Sequence, residues 1–120
     1  MLTINAERIG ELAVVECKGR MVRSEDVFKL RETVLAQGSA SVIALDLSEI
    51  KAIGGGAAGM LAFLANWARQ RRIKFTLYSP AKPVVEALTS SGAMAGLQIA
   101  TYQEMMGILM RCDGEQRAAA

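Results

Sequence analysis

Apolar and polar positions along this 120-residue chain change period several times, and each change marks an element. Residues 3–8 alternate loosely, and residues 11–18 carry Leu12, Val14, Val15 and Cys17. Two strands are predicted there, with Ile9-Gly10 as a tight hairpin turn. Residues 19–23 read as a connector. Ser24 precedes Glu25 and Asp26, a helix N-cap followed by acids in the first turn. Val27, Leu30 and Val34 recur at helical spacing, Phe28 and Leu35 widen the stripe, and Gly38 is the expected stop.

Residues 42–47 are apolar almost throughout, as in a central strand covered on both faces. Residues 48–53 lead to a glycine-rich stretch, and a helix is predicted from near Met60, with Leu61, Leu64 and Ala68 on one face. Residues 73–78 predict another strand, ended by Ser79-Pro80. Pro83 suits the first turn of a third helix carrying Val84, Val85 and Leu88, closed by Ser91-Gly92. Residues 97–100 predict a short last strand. Thr101 and Glu104 form a capping box that opens a methionine-rich helix. The predicted fold is α/β: a mixed β-sheet with an N-terminal antiparallel hairpin and about four α-helices. One domain is expected over residues 1–112, with residues 113–120 fraying.

Composition narrows the function classes. The chain is 52% hydrophobic and 22% charged, which suits a globular core. A net charge of +2 gives no argument for nucleic acid. The cations cluster at Arg69, Arg71, Arg72 and Lys74, read here as complementing a helix C-terminus. No apolar run is long enough for a membrane span, and the first residues lack the layout of a signal peptide, so no direct membrane insertion and a cytoplasmic location are expected. The cysteines are Cys17 and Cys112, and there is no histidine. A disulfide, a zinc site and the usual histidine-assisted nucleophiles are therefore not expected.

The candidate chemistry lies in Gly54-Gly55-Gly56-Ala57-Ala58-Gly59, at a strand-to-helix junction. A helix N-terminus with no side chains leaves N–H groups open to an anion or a partner carbonyl. The stretch holds no acid, base or nucleophile, so a binding surface is expected and not a catalytic one. Gly54, Gly56 and Gly59 also spell a dinucleotide fingerprint. Three features oppose that reading. The stretch follows the third strand, five or six residues separate the strand from Gly54, and the next strand ends in Leu77-Tyr78-Ser79 without a ribose-binding carboxylate. A P-loop would need a lysine and a hydroxyl after the last glycine, where Met60-Leu61 stand. No cofactor is expected.

Four segments in order resemble the STAS family, the sulfate-transporter and anti-sigma-factor-antagonist domain, over about residues 14–109. Gly19-Arg20-Met21 is similar to its Gly-x-Leu, and Leu45-Asp46-Leu47-Ser48-Glu49-Ile50 to its central strand. Gly54 to Leu61 fall at its Asp-Ser-Ser-Gly-Leu-Gly, and Val84 to Leu88 with Ser91-Gly92 resemble its third helix. In phosphorylated members the second serine of that motif takes a phosphate from a kinase. Aligned on Gly59, that serine is Gly56 here, the aspartate is Gly54, and an acid after Gly-x-Leu is Val22. The resemblance thus implies the fold and the docking surface without the phosphoacceptor.

The expectation that follows is a non-catalytic, protein-binding regulator resembling an anti-sigma factor antagonist. Its docking residues would be Gly54, Gly55, Gly56, Ala57, Ala58, Gly59 and Met60. The implied partner is an anti-sigma factor or serine kinase-like protein, or another regulatory protein, and a homodimer is left open. The competing reading is an accessory or scaffold subunit of a membrane transporter or a larger signalling assembly. Met105, Met106 and Met110 are expected to fill core, and Trp67 to pack on its helix face.

Overall fold

A computed structural model describes residues 2–93 and 97–119; side-chain surroundings are described as far as Arg111, except for Tyr102. The elements are β1 (Leu2–Ile9), β2 (Leu12–Met21), α1 (Ser24–Leu35), β3 (Val42–Ile53), α2 (Gly55–Gln70), β4 (Lys74–Tyr78), α3 (Lys82–Ser91), β5 (Ile99–Ala100) and α4 (Tyr102–Ala119). The backbone of α4 is helical over residues that the sequence reading expects to fray. The side chain of Cys112 lies outside the described residues.

The sheet has the order β1-β2-β3-β4-β5, with β1 antiparallel to β2 and the remaining pairs parallel. Its hairpin turn is Gly10-Glu11, one residue later than expected, because Ile9 pairs with Leu12. Gly10 takes φ 59, the left-handed first position that lets a two-residue turn match strand twist. From β2 onward each strand lies next to the one before. Right-handed crossovers that always step in one direction put their helices on one face. Accordingly α1, α2 and α3 share a core with Val15, Cys17, Ile43, Leu45 and Leu77. The last helix is not a crossover and covers the opposite face, where Met105 and Ile108 pack on Leu12 and Ala44. Met105 is buried, whereas Met106 and Met110 are exposed, contrary to the core role expected of all three.

Two strands run longer than the sequence pattern suggests, and both extensions shape the site. Strand β2 continues to Met21 because Gly19, at φ 111, absorbs an irregularity that a side chain would resist. Strand β3 continues to Ile53 through two register shifts against β2. Each shift adds a residue to β3, so the period of two is lost after Leu47: Leu47 and Ile50 are buried, while Ser48, Glu49 and Lys51 are exposed. The gap expected between strand and glycines therefore does not exist. Gly54 follows the strand directly, which removes one of the three objections to the dinucleotide fingerprint. The other two, the place of β3 in chain order and the missing carboxylate after β4, stand.

Helix starts and stops follow local chemistry in part, and α1 departs from expectation at both ends: it stops at Leu35, with Ala36 as a right-handed C-cap, short of the expected Gly38. The N-cap of α1 is Arg23, not Ser24, and the Asp26 carboxylate accepts from the Arg23 N–H at 3.2 Å. Pro83 lies in the first turn of α3, and Gly92 ends that helix in the left-handed conformation at φ 76. At α4 the Thr101 N–H donates to Glu104 Oε1 at 3.3 Å, and the Glu104 N–H donates to Thr101 Oγ1 at 3.1 Å.

Candidate functional site

Helix α2 begins at Gly55, several residues before the expected start near Met60. The glycines are thus its N-cap and first turns, not a loop. Gly54 is extended, at φ −95 and ψ 171, and has no side chain to cap the helix. Its N–H donates to the Met21 carbonyl oxygen at 3.0 Å, and its own carbonyl accepts from the Ala58 N–H at 3.1 Å. The donors at the helix mouth are therefore those of Gly55, Gly56 and Ala57, which precede the first intrahelical bond. The first turn of α2 holds no acid, so its partial positive charge is not offset from within the helix.

The fold does not require glycine at most of these positions. Neither Gly54, Gly55, Gly56 nor Gly59 has positive φ. A methyl group at Gly55 or Gly59 would meet nothing within 4 Å, and one at Gly56 only Val27 Cγ2, at 4.0 Å. At Gly54 it would lie 3.5 Å from the Val22 carbonyl oxygen, an ordinary contact. The two structural explanations for the glycines, positive φ and close helix packing, thus find no support here. Gly55, Gly56 and Gly59 are exposed, and Gly54 and Met60 are partly so. Ala57 and Ala58 face the core and are 0% and 1% exposed, so they offer a partner no side-chain contact.

Exposed apolar side chains lie beside this bare helix end and further along the two helices. Val22 follows β2 directly and is 51% exposed, Phe28 on α1 is 59% exposed and Phe63 on α2 is 49% exposed. The helices α1 and α2 pack side by side, with Val27 at Gly56, and Gly38, just past the end of α1, lies at Trp67. On α2 the positions 56, 60, 63 and 67 form one stripe by helical spacing, and Phe63 is its outward member. Phe28 lies one step outward from Val27. Both phenylalanines therefore border the α1–α2 groove on its solvent side. The sequence pattern puts Phe28 in the widened core stripe of α1 and by itself gives Phe63 no role. Phase would have separated them: Leu61, Leu64 and Ala68 define the buried face, and Phe63 falls off it.

Trp67 is partly buried against the core, and the Arg71 guanidinium sits over its ring, 5.6 Å from the centroid. Cys17 is buried in the core beneath α1, and burial, then the charges of Asp46 and Glu16, push its thiol up to about 12. It is an inert core thiol, not a nucleophile. No helix among the described residues is long and apolar enough to cross a membrane.

No family model matches the chain, and no curated protein sequence does. Solved structures do match. An anti-sigma factor antagonist from Mycobacterium paratuberculosis aligns at TM-score 0.76 and 14% identity, over 92% of this chain and 95% of that one. The anti-sigma factor antagonist SpoIIAA in its unphosphorylated form aligns at TM-score 0.73 and 13% identity, over 90% of this chain and 96% of that one. SLC26A9 aligns at TM-score 0.73 and 13% identity, over 92% of this chain and 22% of that much longer one. An antiparallel hairpin leading into a parallel sheet, three crossover helices on one face and a fourth on the other thus coincide with these structures over nearly the whole chain, and this chain has the STAS-domain fold.

Proposed function

We propose that the chain is a non-catalytic protein-binding regulator of the anti-sigma factor antagonist type, one that docks its partner without a phosphorylation switch. The observation that carries this reading is the exposed, side-chain-free start of α2, with Val22 beside Gly54 and Phe28 and Phe63 exposed along the α1–α2 groove. Packing leaves room for side chains at Gly55, Gly56 and Gly59, so their absence is not explained by the fold. A bare helix mouth with apolar flanks suits a partner that brings backbone carbonyls or a carboxylate to the N–H groups and apolar side chains to the rim. The fold shared with two anti-sigma factor antagonists supports a regulatory protein as that partner, in the class of anti-sigma factors or serine kinase-like proteins. Where the family resemblance aligns a phosphoacceptor serine stands Gly56, so no negative charge can be added there to release the partner.

A second reading is a scaffold domain within a larger transporter or signalling assembly. The likeness to SLC26A9, which this chain matches over 22% of that protein's length, supports it, since the same fold there is a fraction of a longer polypeptide.

The test is affinity purification from the native cell, followed by titration of the identified partner against the wild-type chain, Gly56→Glu and Phe63→Ser. The proposal expects a soluble kinase-like or anti-sigma partner whose affinity falls at least about tenfold in both variants. A folded Gly56→Glu variant with unchanged affinity takes the α2 start out of the interface. Recovery only within a membrane assembly favours the second reading.

A further inference from the structure

The opposite end of the sheet carries a separate concave feature. Where β4 begins, a cavity of about 480 Å³ opens between the end of α2 and the approach to β5. Its apolar walls are Ala65, Ile73 and Phe75, and its charged lining is Arg69, Arg72 and Lys74. Among the described residues, Gln98 also lines the rim. Strand β5 pairs only with Leu77 and Tyr78, so the β4 edge is open at Phe75. The Leu77 N–H donates across that edge to the Gln98 carbonyl oxygen at 2.8 Å. Alternate residues of a strand direct their N–H groups to the same side, so that of Phe75 points the same way, towards the cavity.

The plain alternative is that these cations only offset the negative end of the α2 dipole. One arginine at the last turn suffices for that, because the end of a helix is equivalent to about half an elementary charge. Three cations around one cavity exceed it by far. Arg71, the fourth cation of the cluster, turns to the Trp67 ring and does not line the cavity, so the convergence of the other three is not simply the crowding of a basic run. Among the described residues none of the three is in an ion pair, although five such pairs form elsewhere. Arg72 also has φ 60, a conformation uncommon for a side chain of its kind.

We propose that this cavity binds a small organic anion that carries phosphate or carboxylate charge on an apolar body. The cations and the Phe75 N–H take the charged group, and Ala65, Ile73 and Phe75 take the body. The volume falls within the range of small-molecule sites. The site lies at the amino ends of the parallel strands, whereas the glycines lie at the carboxyl ends, so it is independent of the docking surface.

The test is titration of the full chain with 1-naphthyl phosphate, 1-naphthoate and inorganic phosphate, read by amide chemical shifts. The proposal expects saturable binding of at least one naphthyl compound, with shifts centred on Arg69, Arg72, Ile73, Lys74 and Phe75. The stronger of the two identifies the charged group as phosphate or carboxylate. Inorganic phosphate should bind about tenfold more weakly, because it has no body to bury. Arg69→Gln, Arg72→Gln and Lys74→Gln combined should weaken binding about tenfold or more, and Arg71→Gln should leave it unchanged. If the triple variant does not fold, Lys74→Gln alone, at an exposed residue, gives the same reading through a smaller loss. Absence of saturation by about 1 mM for both naphthyl compounds, shifts centred elsewhere, or unchanged affinity in the folded variants overturns the proposal.

Discussion

The N–H of Gly54 donates to the carbonyl oxygen of Met21 at 3.0 Å. This bond ties the start of α2 to the end of β2, and so to the chain that enters α1. The glycines, Val22 and the first turn of α1 are thereby held together at the carboxyl end of the sheet. A contact between residues so distant in sequence is what turns a glycine-rich stretch into a surface with apolar flanks.

Substitution at Gly56 is expected to separate binding from folding. The position is helical without positive φ, and a side chain there meets only Val27, at 4.0 Å. Gly56→Ala should stabilise the chain by about 0.5 kcal/mol, since alanine loses less backbone entropy than glycine on entering a helix. Gly56→Glu should melt close to wild type, because an acid in the first turn is favoured by the dipole, yet it should weaken partner binding. Thermal melting and titration on the same samples check both expectations. A large loss of stability in Gly56→Ala would show that packing demands glycine after all.

No kinase should phosphorylate residues 54–59, which contain no hydroxyl. Of the serines that could serve as a switch elsewhere, Ser24 begins α1 at the same carboxyl end of the sheet as Gly54. A phosphate there would sit at a helix N-terminus, which favours it. Ser48 lies six residues upstream of Gly54 within β3, roughly 20 Å away along an extended strand. Its hydroxyl already donates to Asp46 Oδ1 at 2.7 Å. Intact-mass analysis and site mapping after incubation with a cognate kinase test this. Modification at Ser24 that abolishes binding would make Ser24 a switch; modification at Ser48 alone should leave binding intact.

Dinucleotides should not bind tightly at the glycines, although β3 meets Gly54 without a gap. Ribose recognition needs a carboxylate at the end of the next strand, where Leu77-Tyr78-Ser79 stand, and no lysine or hydroxyl follows Gly59. Calorimetry with nicotinamide and flavin dinucleotides measures this. Submicromolar binding that maps to residues 54–59 would restore the fingerprint.

Cys17 should make the protein sensitive to alkali. Its thiol is raised from an ordinary 9.0 to about 12 in the folded chain, first by burial and then by Asp46 and Glu16. Between those values the unfolded chain holds a thiolate and the native chain a thiol. The stability tied to Cys17 is therefore fully present below pH 9 and is lost as pH rises towards 12. Melting temperature against pH should fall less steeply in Cys17→Ala than in wild type over that window. At pH 8, native Cys17 should react with iodoacetamide far more slowly than in denaturant; equal rates would show that the thiol is not buried.

Gly92→Ala should cost about 1–2 kcal/mol, because Gly92 ends α3 at φ 76, where a Cβ crowds the carbonyl. Space is not the cause, since a Cβ there meets nothing within 4 Å. Chemical denaturation compared with Gly59→Ala, which lacks positive φ, isolates the conformational effect.

The sequence by itself determined the order of the elements, because apolar periods of two and of three to four are written into the chain locally. It also determined the capping box of Thr101 and Glu104 and the stop at Gly92, each a matter of residues a few positions apart. Tertiary structure alone decided what depends on partners distant in sequence. The two extra residues of β3 are visible only against β2, and they erase the period that would have marked residues 48–53 as strand. The exposure of Phe28 and Phe63 depends on how α1 and α2 lie together, since an apolar side chain reads as core until the face it occupies is known. Met105 and Met110 are chemically alike, yet one is buried and the other exposed, because only one of them lies over Leu12 and Ala44. The cationic cavity arises in the same way: its charges are adjacent in sequence, but its walls require α2, β4 and the approach to β5 to meet.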